Sequence, residues 1–138
     1  MALAGLLSRA VQALGADAEV DLVLPIPLSR QRLQERGFNQ AWELARRAAA
    51  TLQRPACHDL LSRPVESAHQ ADLPRAERER NLRGAFMVEP RRRAELQGRR
   101  VALVDDVFTT GATAREATQA LLRSGAAAVQ IWTVARTP

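Results

Sequence analysis

The order of apolar and polar positions along the chain predicts helices that alternate with strands. Apolar residues recur at three- and four-residue steps across 3–14, which is typical of one helix face, and Gly15 is a suitable stop. The segment VDLVLPIP at 20–27 is almost wholly apolar, as expected of a short strand that a parallel sheet buries on both faces. The apolar positions then predict a second helix that begins at Asn39 and ends before Pro55.

The second half of the chain continues this alternation after a long polar interval. Weak strands are expected near 58–61 and 85–88, and the arginine-rich interval 62–83 lacks sustained periodicity. An interval of that length inside one domain indicates a functional loop. The segment PRRRAELQG at 90–98 is expected to be an exposed connection. The clearest strand, 101–107, precedes a helix of about three turns, and AVQIWTVA forms the last strand.

The helix after the clearest strand has recognisable ends. Thr113 and Glu116 have the spacing of a capping box, and Gly125 is a natural terminator. Strands alternating with helices predict an α/β fold with a mainly parallel sheet. A length of 138 residues without an internal repeat predicts a single domain, 1–138.

Composition narrows the class of protein. Apolar residues make up 46% of the chain and charged residues 25%, as in a globular domain that buries a core without disulfides. No apolar run is long enough to span a bilayer, so membrane insertion is not expected. The one cysteine, Cys57, excludes an internal disulfide and a cysteine zinc cluster. Such cysteine usage favours a cytoplasmic protein.

The charge favours an anionic partner. The net charge is +5, and all 20 basic residues are arginine, the side chain that binds phosphate with two parallel hydrogen bonds. A GC-rich genome would account for most of the preference for arginine over lysine. The positive sign still favours nucleotides, sugar phosphates or nucleic acid as ligands.

The segment VALVDDVFTTGAT at 101–113 joins an aliphatic strand to two carboxylates and a small, hydroxyl-rich loop. Ligands of open parallel sheets bind beyond the carboxyl ends of the strands, where this loop would lie. Free amides at the start of the next helix can bind a phosphate, while Asp105 and Asp106 can accept hydrogen bonds from the vicinal hydroxyls of a ribose. A ribose 5-phosphate satisfies both halves of the segment. Neither a Walker loop nor a dinucleotide-binding glycine pattern occurs, and an ordinary strand end with an N-cap is the alternative.

The same segment resembles the phosphoribosyl pyrophosphate (PRPP) motif of the type I phosphoribosyltransferases. The resemblance implies their fold, a mainly parallel sheet flanked by helices with a long flexible loop or hood segment. It implies that Asp105 and Asp106 form the catalytic acidic pair on the ribose. The resemblance assigns the 5-phosphate to Thr109, Thr110, Gly111, Ala112 and Thr113. In the 6-oxopurine enzymes an Asp stands at the position of Thr109, and since Thr cannot act as a general base at neutral pH, a purine-salvage role is in doubt.

The segment PIPLSRQRLQERGFNQ at 25–40 would follow the first strand at the same edge of the sheet. Spacing alone favours a solvated basic loop before a helix capped by Asn39. The pattern P-x-P-L followed by R-G-F-N-Q, however, resembles the ComF (competence protein F) branch of phosphoribosyltransferase-like proteins, which includes the GntX-type proteins. The resemblance places a pyrophosphate loop at Ser29, Arg30, Arg36, Gly37 and Asn39, with Arg32 between them.

A third segment, 63–86, resembles the R…Q-x-x-L…R-x-x-N-x-x-G-A-F pattern of the same branch. The resemblance implies a flexible loop that folds over PRPP and excludes water. Its functional residues would be Arg63, Gln70, Arg78 and Asn81. The alternative is an arginine-rich surface excursion. Typical proteins of the branch carry an N-terminal four-cysteine zinc module that this sequence lacks, and the sequence leaves open whether it is a shorter member or a truncation.

These resemblances imply a PRPP-binding protein that is linked to DNA uptake and competence. An enzyme of this kind would transfer the pentosyl group to an acceptor that the sequence does not name. Mg²⁺ would be held together with PRPP and not by a protein-only metal site, and His58 and His69 are expected to be surface histidines.

The alternative function is a PRPP sensor, or a catalytically silent module, that binds single-stranded DNA or the competence machinery. The arginine runs at 91–93 and 99–100 permit such binding. An aromatic content of only 4% counts against base stacking, because Trp42 and the other aromatic residues are expected in the core. The oligomeric state stays open, with a homodimer as one option.

Overall fold

The computed structural model describes residues 19–28, 30–63, 86–108 and 112–136. In chain order the elements of these ranges are β1 (Leu22–Pro25), α1 (Arg30–Arg36), α2 (Gln40–Leu52), β2 (Leu61–Ser62), β3 (Met87–Val88), a 3₁₀ helix (Pro90–Leu96), β4 (Arg100–Phe108), α3 (Ala112–Arg123) and β5 (Ala128–Arg136). Three strands form a parallel sheet in the order β1-β4-β5, and β2 pairs with β3 in antiparallel fashion. On its other edge, β1 is bridged in parallel to Ala56. The predicted α/β fold with a parallel sheet is confirmed.

Helices cover both faces of the sheet. On one face Leu44 of α2 belongs to the same buried cluster as Val104 of β4. On the other face Leu121 of α3 shares a cluster with Leu103. Because alternate side chains of a strand point to opposite faces, a strand covered on both sides must be apolar at every position. This requirement explains the unbroken apolar run at the start of β4.

Both longer helices end with a residue in a left-handed conformation. At the end of α3 the amides of Ala126 and Gly125 donate to the carbonyls of Leu121 and Leu122, both at 3.1 Å, and Gly125 has φ +111. This is the Schellman arrangement, which satisfies carbonyls that the helix leaves without partners. The residue after α2 is Gln53, with φ +56. A side chain makes that conformation costly, so Gln53 is a strained position.

The amino edge of the sheet is held by an ion-pair cluster. The backbone amide and Nε of Arg100 donate to Oδ2 of Asp21 at 2.9 and 3.2 Å, and Nη1 donates to Glu19 at 2.7 Å. The Arg100 guanidinium holds the pKa of the Asp21 carboxyl below its usual value. The cluster joins the start of β1 to the start of β4, which are 79 positions apart in sequence.

One predicted loop is wrong. The residues after the first strand are predicted to be irregular up to Asn39, but Arg30–Arg36 forms α1. Gln, Arg, Leu and Glu all have high helix propensity. Gly37, at φ +78, ends the helix, and its amide donates to the Leu33 carbonyl at 2.7 Å. With only one apolar residue, the segment has no hydrophobic periodicity that could have indicated a helix.

Three smaller predictions need correction. The segment at 90–98 is mostly a 3₁₀ helix, because Leu96 is fully buried and draws the connection onto the core. The weak strands shift slightly and become β2 and β3. Since α3 begins at Ala112, Thr113 lies inside its first turn and is not the predicted N-cap.

Two predictions fall outside the described residues, namely the helix at 3–14 with its stop at Gly15 and most of the polar interval at 62–83. The single domain stays a prediction. Among the helices of the described ranges, none has the length and apolar character needed to cross a membrane.

Candidate functional site

The connections of the sheet create a crevice at its carboxyl edge. From β1 the chain passes through α2 to the outer segment around Ala56, and it later continues into β4 and β5 on the other side of β1. The connections that follow β1 and β4 therefore lead to helices on opposite faces. Ligands of open parallel sheets bind where the strand order reverses in this way. We call this place the switch-point crevice and define it by Ile26, Asn39, Asp105 and Ala112.

Asp105 lies where β1 ends beside β4. Pro25 is in register with Val104, and the Ile26 amide donates to the Val104 carbonyl at 2.8 Å. On the other side, Asp105 is in register with Thr133 of β5. The Asp105 side chain is half-buried. Its position is therefore set by a central strand with a hydrogen-bonded neighbour on each side. Asp106 follows in the same strand.

Asn39 ties the connection after β1 to the sheet. Its Nδ2 donates to the Ile26 carbonyl at 3.2 Å, and its Oδ1 accepts from the Ala41 amide at 3.0 Å. The predicted capping of α2 is confirmed, while a pyrophosphate role for Asn39 stays a prediction. Arg36 is exposed at the end of α1, and Gly37 turns the chain between the two helices.

Of the other predicted site residues, four lie in the described ranges and seven lie outside them. Ala112 and Thr113 form the first turn of α3, and the amides in the first turn of a helix point away from it along the helix axis. Arg63 follows β2, with its guanidinium carbon 5.3 Å from the centre of the Phe86 ring. Arg30 lies in α1. The predicted site residues outside the described ranges are Ser29, Gln70, Arg78, Asn81, Thr109, Thr110 and Gly111.

A second depression lies at the same edge, and the sequence analysis did not predict it. Its volume is about 510 Å³, and its walls are mostly apolar. We call it the aromatic cleft, because Trp42 and His58 stand in its wall with their ring centres 5.1 Å apart at an interplanar angle of 72°. The walls consist of Pro27, Leu28, Leu33, Asn39, Trp42, His58, Asp59, Leu61, Ser62 and Arg63.

Trp42 is the functional candidate that sequence reasoning missed. Trp42 packs against the core cluster between α2 and the sheet, in line with the prediction, but it is only half-buried and also contributes to the cleft wall. The core prediction is wrong for Phe38, which is 54% exposed. His58 is exposed, as predicted. The sequence contained one indication that Trp42 could contact a ligand, because Trp42 lies in the first turn of the predicted helix that follows the first predicted strand. That turn faces the carboxyl edge of the sheet, where ligands of this fold class bind.

Asp59, at the cleft wall, belongs to a hydrogen-bonded cluster. Cys57 Sγ donates to Asp59 Oδ1 at 3.0 Å, and Arg92 contacts both residues, with its Nη2 2.8 Å from the sulfur. Arg92 also pairs with Glu95 at 2.7 Å. Burial and the hydrogen bond to Asp59 raise the pKa of the Cys57 thiol. Hydrogen bonds from Cys57 and Arg92 lower the pKa of Asp59, so at neutral pH the thiol is protonated and Asp59 is charged.

Two curated relatives show where the sequence belongs. The chain is 40% identical to DNA utilization protein YhgH of Escherichia coli over 117 residues, which is 85% of this chain and 50% of that protein. It is 35% identical to Competence protein F of Haemophilus influenzae over 116 residues, or 84% of this chain and 50% of that protein. The chain thus spans about half the length of the curated relatives it matches. No protein-family model matches it.

Solved structures share the fold at low identity. The purine phosphoribosyltransferase from Pyrococcus horikoshii matches 99% of this chain and 83% of its own, with a TM-score of 0.59 and 15% identity. The glutamine PRPP amidotransferase from B. subtilis matches 96% of this chain and 26% of its own, with a TM-score of 0.61 and 20% identity. The predicted phosphoribosyltransferase fold is therefore confirmed.

Proposed function

We propose that this chain, which belongs to the competence protein F family over the region shared with its relatives, binds PRPP in the switch-point crevice and transfers its ribose 5-phosphate to an acceptor. Two observations support the proposal: the resemblance of 101–113 to a PRPP motif, and the phosphoribosyltransferase fold. The names of the relatives, DNA utilization protein and competence protein F, support a link between the proposed reaction and the uptake or use of DNA.

The observation that carries the proposal is the position of Asp105 in the central strand β4, directly after the level at which the neighbouring strand β1 ends. A carboxylate there can accept hydrogen bonds from the two vicinal hydroxyls of a ribose. The start of α3, at Ala112, belongs to the same strand–helix connection and offers amides and a positive dipole end to a phosphate. One connection thus provides for both ends of a ribose 5-phosphate.

The proposed reaction exchanges one bond at the anomeric carbon. A lone pair of the acceptor forms the new bond to this carbon, while the bond from the carbon to the pyrophosphate oxygen breaks and pyrophosphate takes the electron pair. A proton that the acceptor nucleophile carries is released to solvent. The protein would contribute mainly positioning and charge stabilisation. Asp105 and Asp106 would hold the ribose, and exposed Arg36 would meet the departing pyrophosphate.

The residues of the crevice fit a magnesium ion only in part. Carboxylate oxygens suit this hard cation. Among the described residues, however, no group of three or more His, Cys, Asp or Glu side chains could hold a metal. Asp105 and Asp106 would therefore hold Mg²⁺ only together with PRPP and water. Bound in this way, Mg²⁺ would neutralise charge on the leaving pyrophosphate.

Calorimetric titration of PRPP, with and without Mg²⁺, tests the proposal. The wild type should bind PRPP in a Mg²⁺-dependent manner, and the double variant Asp105→Asn/Asp106→Asn should lose that binding. Asp21→Asn is the matched control, because it removes a carboxylate at the opposite edge of the same sheet. Circular dichroism confirms that each variant is folded. A folded wild type that does not bind PRPP would refute the proposed function.

A second candidate function is the binding of single-stranded DNA, and the arginine runs are the observation that favours it. Arg92 and Arg100 form internal ion pairs. Arg91, Arg93 and Arg99 are exposed and form no ion pair with another described residue. Binding through them should weaken steeply with salt and survive Asp105→Asn. An oligonucleotide affinity that is unchanged in Arg91→Ala/Arg93→Ala would exclude this surface.

A further inference from the structure

Asp105 points to the face of the sheet that α3 covers, which we call the α3 face. Val101 and Leu103 of β4 belong to the buried cluster on which α3 packs. Ala102 and Val104 belong to the cluster under α2, on the opposite face. Because successive side chains of a strand alternate between the two faces, Asp105 continues the series of Val101 and Leu103. Its carboxylate therefore lies on the α3 face of the sheet.

Thr133 stands beside Asp105 on the same face. In β5, Val129 and Ile131 pack against the cluster of the α3 face, whereas Trp132 belongs to the cluster on the opposite face. The alternation thus puts the Thr133 side chain on the α3 face. Thr133 and Asp105 are in register in the parallel pair of β5 and β4, and neighbouring strands lie about 4.8 Å apart. The two half-buried side chains can therefore reach each other with a hydrogen bond.

The neighbour of Asp105 on the other side offers no side-chain donor. Pro25 of β1 is in register with Val104, so the next residue, Ile26, flanks Asp105. The Ile26 amide donates to the Val104 carbonyl at 2.8 Å, and its side chain is buried in the cluster of the α3 face. Of the two residues that flank Asp105 in the adjacent strands, Thr133 is thus the one that carries a hydroxyl.

A carboxylate that binds a ribose needs a fixed orientation. A charged carboxyl group offers about four positions to hydrogen-bond donors, and two vicinal hydroxyls occupy two of them. A position is therefore left for a donor from the protein. Hydrogen bonds to a charged acceptor are among the stronger ones in proteins. A hydroxyl that holds the carboxylate before the ligand arrives lowers the entropy that binding would otherwise cost.

We propose that Thr133 is a positioning residue for the transfer, because its hydroxyl donates to the Asp105 carboxylate and holds it in the orientation that accepts the ribose hydroxyls. Thr133 acts through Asp105 and does not contact PRPP. The hydrogen bond itself does not depend on the proposed function, whereas its role in holding a ribose rests on that function.

Urea denaturation at neutral pH tests the hydrogen bond without any ligand. The proteins are the wild type, Thr133→Val, Asp105→Ala and the combined variant, and valine has nearly the shape of threonine but no hydroxyl. The effects of the two changes on the unfolding equilibrium constant should be non-additive by roughly 3- to 10-fold, the contribution of one hydrogen bond. Thr118→Val, which changes a half-buried threonine of α3, is the matched control and should be additive with Asp105→Ala.

Calorimetric titrations in the presence of Mg²⁺ test the positioning role. The ligands are PRPP, ribose 5-phosphate and pyrophosphate, of which only pyrophosphate lacks the ribose. Thr133→Val should weaken the first two by roughly 3- to 10-fold and leave pyrophosphate unchanged. Thr133→Ser keeps the hydroxyl and should restore the affinity, and Thr118→Val should bind all three ligands like the wild type. A general loss of stability would not distinguish ligands with a ribose from one without.

The outcomes separate this inference from the proposed function. Additive effects of Thr133→Val and Asp105→Ala on unfolding would mean that the hydrogen bond is absent and overturn the inference. Coupled effects with an unchanged PRPP affinity of Thr133→Val would leave the bond a purely structural role and overturn the inference alone. Equal weakening of pyrophosphate, or no recovery in Thr133→Ser, also overturns it. A folded wild type that does not bind PRPP overturns the proposed function and the positioning role together.

Discussion

Replacement of Asn39 tests how the connection after β1 is held at the carboxyl edge. The side chain makes two hydrogen bonds, one to the Ile26 carbonyl and one from the Ala41 amide. Asn39→Asp keeps the acceptor that caps α2 and removes the donor to Ile26, so we expect a loss of about 1 kcal/mol in the free energy of unfolding. Asn39→Ala also removes the cap and should lose about 2 kcal/mol.

Urea denaturation monitored by circular dichroism measures both losses, and the melting temperature should fall by about 4 °C per kcal/mol for a domain of this size. Arg47→Ala, at an exposed position of the same helix, should change stability by less than about 0.5 kcal/mol. An Asn39→Asp protein as stable as the wild type would refute a contribution from the Ile26 bond. Equal losses for Asp and Ala would refute a contribution from the cap.

Three further predictions concern stability. Gly125→Ala should cost about 2–3 kcal/mol in urea denaturation, because the new Cβ would clash with the side-chain amide of Gln97 at a φ of +111 and would break the bond of Gln97 to the Ser124 carbonyl. Gln53→Gly should raise the free energy of unfolding by about 1 kcal/mol, because it relieves a left-handed residue that carries a side chain. The pKa of Asp21 is lower in the folded protein than its ordinary value of 3.8. The contribution of the charged Asp21 to the free energy of unfolding is therefore complete above pH 3.8 and is lost as the pH falls through the lower pKa of the folded state. The melting-temperature difference between wild type and Asp21→Asn should accordingly shrink from pH 6 toward pH 3.

Each of these predictions has its own control. Gln97→Ala removes the atoms that the new Cβ of Gly125→Ala would meet, so an equal cost in that background would show that backbone strain alone is responsible. Gly98 has φ +70 but open space around its Cβ position, so Gly98→Ala isolates the same strain without a contact. A Gln53→Gly protein that is less stable than the wild type would contradict the assignment of strain. A pH-independent difference for Asp21→Asn would show that the Arg100 pair contributes nothing to folding.

Several parts of the fold followed from local sequence alone. A strand covered by helices on both faces needs apolar residues at consecutive positions, so β1 and β4 were visible as apolar runs. The periodic alanines and leucines of α2 indicated a helix with one buried face. Asp105 could be placed at a ligand-binding edge, because it directly follows such a run in an alternating α/β chain. The identity of the ligand came from the resemblance and not from these patterns.

Other features were decided by contacts between distant parts of the chain. Asp21 meets Arg100 across 79 positions, and Arg92 meets Cys57 across 35. The bond of Asn39 to Ile26 spans only 13 positions, yet it depends on the direction in which α1 and α2 leave the sheet. Periodicity describes one element at a time, so it contains no information about these pairs.

The strands, the longer helices and the position of Asp105 were thus determined by the sequence itself, because burial on one or two faces imposes a repeat on the residues of each element. The aromatic cleft was decided only by the tertiary structure. Its walls come from separate segments, each of which resembles ordinary loop or helix, and they meet because the bridge between Val23 and Ala56 brings 58–63 beside the residues after β1. Trp42 becomes part of the cleft wall through that meeting. The sequence could not show this, because a half-buried aromatic side chain at a helix start has the same local pattern as one in the core.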